Sequence, residues 1–325
     1  MNPNEQNPFL PLCRADMDAR GWDRPDFVYV TGDAYVDHPS FGVSIISRVL
    51  EDAGYRVAIL AQPDFRSCDA FREYGKPRLG FLVTSGNIDS MVAHYTAAKK
   101  HRSFDYYTPG GVMGKRPDRA VIVYTNRIRE AYGDVPVILG GLEASLRRFA
   151  HYDYWDNKVR RSILVDSRAD LLTYGMGENI LLRVAELLDR GVPIRKIRDV
   201  RGTVYLCDPA DPIHYDVAAT FDYNLLKTDK RAYAEAFGIQ YRNQDAINGR
   251  AICERYDNKL LVQNPPMPPL EREELDHVYS LPYQRAYHPS YAAAGGVPGI
   301  EEVQFSLTHN RGCFGGCNFC ALAFH

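Results

Sequence analysis

Residues 27–189 alternate between short apolar runs and amphipathic helical patterns, and this alternation limits the possible folds more than any other feature of the sequence. The predicted strands are 27–31, 57–61, 79–83, 136–139 and 171–174, and the predicted helices are 40–53, 120–132 and 179–189. A strand, a helix and a second strand within about 35 residues form a right-handed unit whose strands are parallel. The sequence therefore predicts an α/β class protein with a doubly wound parallel sheet, Rossmann-like, over residues 26–199.

Small and polar residues follow the predicted strands. They are Gly32-Asp33, Thr84-Ser85-Gly86, Gly140-Gly141 and Gly175-Met176-Gly177. Ligands of such sheets bind outside the carboxyl ends of the strands, where small residues let a ligand approach the backbone. The same residues also suit tight strand-to-helix turns, so both interpretations stay open. No G-x-G-x-x-G pattern follows the first strand, which argues against a dinucleotide site.

Two polar clusters are further candidates. In the first, Asp37-His38-Pro39, the histidine could ligate a metal or transfer a proton, but such a pair more often stabilises a turn. The second, residues 147–161, mixes basic and aromatic side chains. It could clamp a phosphate-bearing or nucleotide substrate. Its acidic residues Asp153 and Asp156 argue equally for internal salt bridges, and a surface or interdomain structural role is slightly favoured.

Outside the Rossmann-like domain, the sequence predicts an N-terminal arm over residues 1–25 and a bridging segment over residues 200–299. Residues 300–325 are predicted to begin a second core. Within the bridge we expect helices over 227–244 and 271–278, with Thr228 as a cap of the first, and a strand at 260–263. The proline cluster 264–269 predicts a stiff connector. The alternating residues 303–308 predict one more strand.

Composition excludes several classes of protein. The formal net charge of -2 gives no basic footprint that would indicate nucleic acid as a partner. No apolar run approaches the roughly 20 residues that span a bilayer, and the first residues lack the pattern of a secretory signal. We therefore expect a cytoplasmic protein whose scattered cysteines are reduced and mostly structural. These are Cys13, Cys68, Cys207 and Cys253.

The other three cysteines lie within eight positions, in the pattern C-x3-C-x2-C, at Cys313, Cys317 and Cys320. They cannot all pair as disulfides among themselves, and the compartment is predicted to be reducing. A structural zinc site would need a fourth ligand, for which His325 is available. Three thiolates with one open position suit a cubane iron–sulfur cluster better.

The cysteine pattern after a short strand, with Phe319 before the last cysteine, resembles the radical SAM signature. Further stretches resemble the YgiQ family of radical SAM proteins. They are residues 30–42, 140–148, 151–155 and 311–317. This resemblance covers most of the chain.

The resemblance implies that Cys313, Cys317 and Cys320 ligate a [4Fe-4S] cluster whose fourth iron binds S-adenosyl-L-methionine. One electron then cleaves the cofactor to a 5′-deoxyadenosyl radical, which abstracts hydrogen from a substrate that the resemblance leaves unassigned. Phe319 would pack near the adenine, and Gly315 and Gly316 would let the loop wrap the cluster. An electron donor such as flavodoxin or ferredoxin is implied as a partner.

The first domain also resembles the cobalamin-binding domains that precede many radical SAM barrels. The D-x-H-x-x-G pattern that supplies a cobalt ligand is not met, because His38 follows Asp37 directly, and this argues against bound cobalamin. In the family a partial TIM barrel follows the cysteine loop, whereas this sequence has only its first strand and loop. We therefore expect the first domain to fold, any cluster to be exposed and oxygen-sensitive, and catalysis to be incomplete.

Overall fold

The computed structural model describes residues 8–308 together with 311, 312, 315, 317 and 320. The strands are β1 (Phe27–Thr31), β2 (Val36–Asp37), β3 (Val57–Ala61), β4 (Gly80–Thr84), β5 (Val137–Leu139), β6 (His151–Asp153), β7 (Lys158–Arg160), β8 (Leu171–Thr173), β9 (Thr203–Cys207), β10 (Val217–Asp222), β11 (Ala251–Tyr256), β12 (Lys259–Gln263) and β13 (Ala286–Tyr287). The helices are α1 (Arg14–Ala19), α2 (Gly42–Asp52), α3 (Ser90–His94), α4 (Ala120–Tyr132), α5 (Gly141–Leu146), α6 (Ile163–Ser167), α7 (Glu178–Asp189), α8 (Tyr223–Thr228), α9 (Lys230–Arg242) and α10 (Arg272–Ser280).

The described residues form two compact units. The first contains residues 8–137, 141–143, 271–308 and 311. The second contains residues 138–140, 144–270 and the described positions from 312 onward.

The first unit is built on three parallel strands in the order β3-β1-β4. Phe27 is aligned with Val57 on one side and with Gly80 on the other. Every residue of β1 and β4 is buried, as expected for parallel strands covered on both faces. The short strands β2 and β13 form a separate antiparallel pair.

The second unit contains a mixed arrangement of strands. Strand β8 is parallel to β5 and antiparallel to β9. Strand β12 then pairs antiparallel with both β9 and β11, and β10 lies parallel to β11. The predicted α/β class is confirmed, and the five predicted strands appear as β1, β3, β4, β5 and β8. The bridging segment contains strands β9, β10 and β11, which the sequence pattern did not indicate.

The strand expected over residues 303–308 is absent from the structure. Residues 301–305 form turns instead, in which the Gln304 amide donates to the Ile300 carbonyl (2.8 Å) and the Ser306 amide to the Val303 carbonyl (2.9 Å). A strand needs a neighbouring strand for its backbone hydrogen bonds, and these residues satisfy theirs locally. The alternating side chains Phe305 and Leu307 are exposed.

Candidate functional site

The carboxyl ends of β1 and β4 mark the point where the topology of the first unit changes direction. From β1 the chain passes through α2 to β3 on one side, whereas β4 lies on the other side of β1. In open α/β sheets, ligands bind at such a switch point. The sequence analysis placed a candidate cleft there, flanked by Gly32-Asp33 and by Ser85-Gly86.

The Arg116 side chain occupies this position. It is 1% exposed, and its guanidinium lies 2.9 Å from Asp33 Oδ1 and 2.9 Å from Asp105 Oδ2. The same guanidinium donates to the Ser85 carbonyl at 2.9 Å. The segment between α3 and α4 thus inserts a cation between two carboxylates at the switch point. We call Asp33, Asp105 and Arg116 the switch-point triad.

The glycines at these strand ends are close to the protein's own atoms. A Cβ on Gly32 would lie 2.2 Å from the Ser85 carbonyl oxygen and 3.1 Å from Arg116 Cδ. Gly86 has φ +109°, and a Cβ there would lie 2.0 Å from Asp33 Oδ1. Here the absence of a side chain lets the triad assemble, which favours a structural role of these two glycines over the ligand cleft.

Burial and the neighbouring charges shift the pKa of Asp33, and that of Arg116, in opposite directions. Burial raises the pKa of Asp33 to about 6, although the Arg116 guanidinium and the Asn87 amide lower it. Burial alone would lower the pKa of Arg116, but Asp33 and Asp105 raise it. Asp33 is therefore mainly ionised at neutral pH, and the two buried carboxylates share a single cation.

Glu143 holds the start of two helices. Its carboxylate is 1% exposed and accepts from the Ser90 amide at 2.8 Å and the Val121 amide at 3.2 Å. These amides lie in the first turns of α3 and α4, where backbone donors have no partner within the helix. Burial raises the pKa of Glu143. Its role in this structure is to cap helices.

The pair Asp37-His38 also has structural contacts. Asp37 is completely buried in an ion pair with Arg48 and accepts from the Gln284 amide at 3.1 Å. His38 Nδ1 accepts from the Ser40 amide at 3.1 Å, which agrees with the turn-stabilising interpretation. Burial and the nearby Arg285 lower the pKa of His38, and the backbone of residues 303–304 partly opposes this.

The basic and aromatic stretch 147–161 is largely engaged in internal salt bridges. Arg160 lies 2.9 Å from Asp156 and 3.4 Å from Asp166, and Arg161 lies 2.8 Å from Asp166. Lys158 lies 3.5 Å from Asp156. These contacts support the structural interpretation of the stretch. Arg148 differs, because its buried side chain lines a pocket in the second unit.

The structure describes two of the three motif cysteines. Cys317 is exposed and Cys320 is partly exposed, and the Cys320 amide donates to the Cys317 carbonyl at 3.0 Å. This bond places both residues in one turn. Cys313, Gly316 and Phe319 lie outside the described residues, and Gly315 lies within them. Across the described part of the chain, which does not include Cys313, no three metal-binding side chains come together.

The accessible thiols of Cys317 and Cys320 contrast with those of the scattered cysteines. Cys68, Cys207 and Cys253 are buried, and burial raises the pKa of Cys253 to about 11. A buried thiol of high pKa is a poor metal ligand, because the thiolate is the ligand. The two described motif cysteines therefore have the donor type and the access that an iron–sulfur cluster requires. Cys13 is exposed, and its thiol donates to Asp16 Oδ2 at 3.3 Å at the start of α1.

Sequence reasoning did not identify Arg116 and Asp105. Both lie in the polar, glycine- and proline-containing segment 101–119, where no periodic pattern indicates burial. No local signal distinguishes Arg116 from its exposed neighbour Lys115.

Among the residues that the structure describes, no helix has the length and apolar character needed to cross a membrane.

The profile described as "Radical SAM N-terminal" matches residues 9–306. The chain belongs to the radical SAM N-terminal family. The match includes the switch-point triad, Glu143 and the pair Asp37-His38, so the geometry described above is that of a radical SAM N-terminal region.

The sequences of curated relatives match nearly the whole length of this radical SAM N-terminal chain. A UPF0313 protein of Clostridium perfringens (strain SM101 / Type A) is 58% identical over 320 residues, which cover 98% of this chain and 48% of that protein. The UPF0313 protein CLJ_B0249 of Clostridium botulinum is 57% identical over 317 residues, which cover 98% of this chain and 50% of that protein. The chain thus spans about half the length of the curated relatives it matches.

One solved structure is also similar. It is a radical S-adenosylmethionine methyltransferase, TsrM, from Kitasatospora setae, with 19% sequence identity and a TM-score of 0.37. The similarity covers 55% of this chain and 28% of that protein. The family assignment rests on the match over residues 9–306.

Proposed function

We propose that this chain is the amino-terminal part of a YgiQ-type radical SAM protein and carries its cluster-binding loop. The observation that carries the proposal is the C-x3-C-x2-C motif that directly follows the residues matched by the family. Cys313, Cys317 and Cys320 would hold a [4Fe-4S] cluster. When bound, the cluster and S-adenosyl-L-methionine supply one-electron reductive cleavage of the cofactor.

The chain's own residues would bind and shield these groups. Two of the three proposed ligands are accessible thiols within one turn, which suits a compact metal centre. Gly315 and Gly316 would let the backbone approach the cluster closely. Phe319 would pack against the adenine. We also propose a flavodoxin- or ferredoxin-like electron donor and a cytoplasmic location. The substrate is unassigned. The domain bounds are those inferred from the sequence.

Cobalamin is not part of this proposal. The switch point of the first unit, where a Rossmann-like domain binds its ligand, is filled by the switch-point triad. Asp37 and His38 are buried, and Asp37 is paired with Arg48 while His38 Nδ1 accepts from the Ser40 amide.

Anaerobic reconstitution with iron and sulfide tests the cluster. We expect about four irons per chain, with about three as the oxidised remnant of a cubane. Replacing any of Cys313, Cys317 and Cys320 by alanine should reduce the iron content to less than half. Cys13→Ser is the matched control, because it removes another exposed thiol and should leave the iron content unchanged.

EPR of the reduced protein, with and without S-adenosyl-L-methionine, separates the competing functions. A cubane signal that the cofactor perturbs supports the radical SAM assignment. Zinc by elemental analysis with no such signal would favour a zinc-stabilised interaction domain. Fewer than about three irons without zinc would leave a non-catalytic α/β ligand-binding module as the better assignment.

A further inference from the structure

The second unit contains a pocket at the carboxyl end of β8. Its volume is about 240 Å³, and the residues after the strand, Gly175 and Met176, form part of its lining. Pockets for drug-sized ligands typically measure about 300–1,000 Å³, so this one suits a smaller organic molecule. None of its lining residues belongs to the cysteine motif or to the switch-point triad, and the proposed function does not use it.

One side of the pocket is apolar. Met176 and the proline-rich segment 266–269 line it, together with the ring of Tyr174. Gly175 has φ +74°, and no atom lies within 4 Å of the position that a Cβ would take. The backbone after β8 therefore faces open space, and a flat apolar group can approach it.

The other side carries a buried cation. Arg148 is 4% exposed, and its guanidinium stacks on Tyr174 with 4.8 Å between Cζ and the ring centroid. Arg148 Nε donates to Gln263 Oε1 at 2.6 Å and Nη1 to the Ser145 carbonyl at 2.7 Å. These contacts fix the orientation of the guanidinium. Burial lowers the pKa of Arg148 although Tyr174 opposes this, yet an arginine keeps its charge in proteins.

The lining of the pocket also contains an amide donor. Gln244 lines the pocket, and its side-chain nitrogen is buried with no hydrogen-bond partner among the residues that the structure describes. A buried donor without a partner is costly, and an acceptor atom of a ligand would remove this cost. Arg201 holds the rim nearby, because it donates to the carbonyls of Pro266 and Ala246.

We propose that this pocket binds a small organic anion. Its carboxylate or phosphate group would lie against Arg148 and the Gln244 amide, since a guanidinium recognises both groups with paired, charge-assisted hydrogen bonds. Its apolar body would lie between Met176 and the proline-rich segment. The protein thus has a ligand site in the second unit that uses none of the motif cysteines.

Titration calorimetry and ligand-observed NMR on the whole chain test the proposal with benzoate, phenyl phosphate and the neutral isostere benzamide. We expect at least one of the two anions to bind with a Kd of about 1 mM or lower, and benzamide at least tenfold more weakly. Comparing the two anions shows whether a carboxylate or a phosphate is preferred. Equal binding of benzamide, or no binding of either anion at about 10 mM, would overturn the proposal.

Neighbouring substitutions locate the site. Ala246→Trp fills the pocket from its lining and should weaken binding of the anion at least tenfold. Ile247→Trp places the same side chain at a position that is 88% exposed and should leave binding unchanged. Arg148→Met should remove the preference for the anion over benzamide. If that variant does not fold, the comparison of Ala246→Trp with Ile247→Trp still tests the location of the site. Wild-type affinity in Ala246→Trp would refute the location.

Discussion

Glu254 is a carboxyl group in the interior of the second unit, and its protonation should influence stability. It is completely buried on β11, accepts from the Ala150 amide at 2.9 Å and receives the hydroxyl hydrogen of Tyr256. The Tyr256 hydroxyl in turn accepts from the Ser162 amide at 2.8 Å. Burial raises the pKa of Glu254 from 4.5 to about 7, and the hydrogen bonds oppose this only in part.

The raised pKa predicts a loss of stability as pH increases. The folded protein binds this proton more tightly than the unfolded chain, so the free energy of unfolding should fall between pH 4.5 and about 7. The contribution is about 3 kcal/mol from this group. Glu254→Gln keeps the shape and removes the titration, so its urea midpoint should change much less between pH 5 and pH 8.

Glu235→Gln is the control for this measurement, because Glu235 is exposed on α9 of the same unit. It should show the pH dependence of the wild-type protein. If Glu254→Gln loses as much stability as the wild type between the two pH values, the carboxyl group is not the cause.

Among the elements, the parallel strands were predicted well because each is a short, fully apolar run. Strand β1 coincides with the predicted residues 27–31, and β3 coincides with 57–61. In the bridging segment, β12 coincides with the strand predicted at 260–263. Strand β10 was missed, because it has only partly buried and exposed positions and does not form such a run.

The candidate sites were less predictable than the strands, because their contacts join residues far apart in sequence. The strand-end glycines were expected either to admit a ligand or to form tight turns, whereas the side chain close to Gly32 is Arg116, from a segment without periodicity. Similarly, the sequence places Thr228 as the cap of a helix, whereas Asp229 accepts the amides of Arg231 and Ala232 in that role. Local patterns indicate where a cap or close contact is needed more reliably than which side chain supplies it.

The segment between α3 and α4 is predicted to depend on Arg116 for its position. Arg116→Met would leave Asp33 and Asp105 buried without their cation, which should cost about 3–5 kcal/mol of the free energy of unfolding. Because the pKa of Asp33 is already raised to about 6, protonation should restore part of this loss at pH 5. Urea unfolding at pH 5 and pH 7.5 measures both effects.

Lys115→Met removes a neighbouring cation that is exposed, and it should change stability by no more than about 0.5 kcal/mol. A similar small change for Arg116→Met would mean that the triad does not hold the segment. Full stability of Arg116→Met at pH 7.5 together with a loss at pH 5 would contradict the ionised state of Asp33.

At the scale of the whole molecule, residues 303–308 connect the family-matched region to the cysteine motif. Their alternating pattern predicts a strand, but they form turns and coil, with Phe305 91% exposed and Leu307 79% exposed. Exposed alternating apolar residues are typical of a strand whose partners are elsewhere. The curated relatives are about twice as long as the region they share with this chain.

We therefore predict that this segment becomes a strand in the longer proteins. Amide hydrogen exchange should be fast at residues 303–308 of this chain, where the hydrogen bonds are local. At the aligned residues of the full-length Clostridium perfringens relative it should be at least a hundredfold slower, equivalent to about 2.7 kcal/mol of protection, because neighbouring strands would pair with the backbone. Strand β1, which is buried and paired in this chain, is the internal control and should be protected in both proteins. Equally fast exchange at residues 303–308 in both proteins would show that the alternating pattern does not encode a strand. The prediction that this segment is the first strand of the barrel would then be wrong.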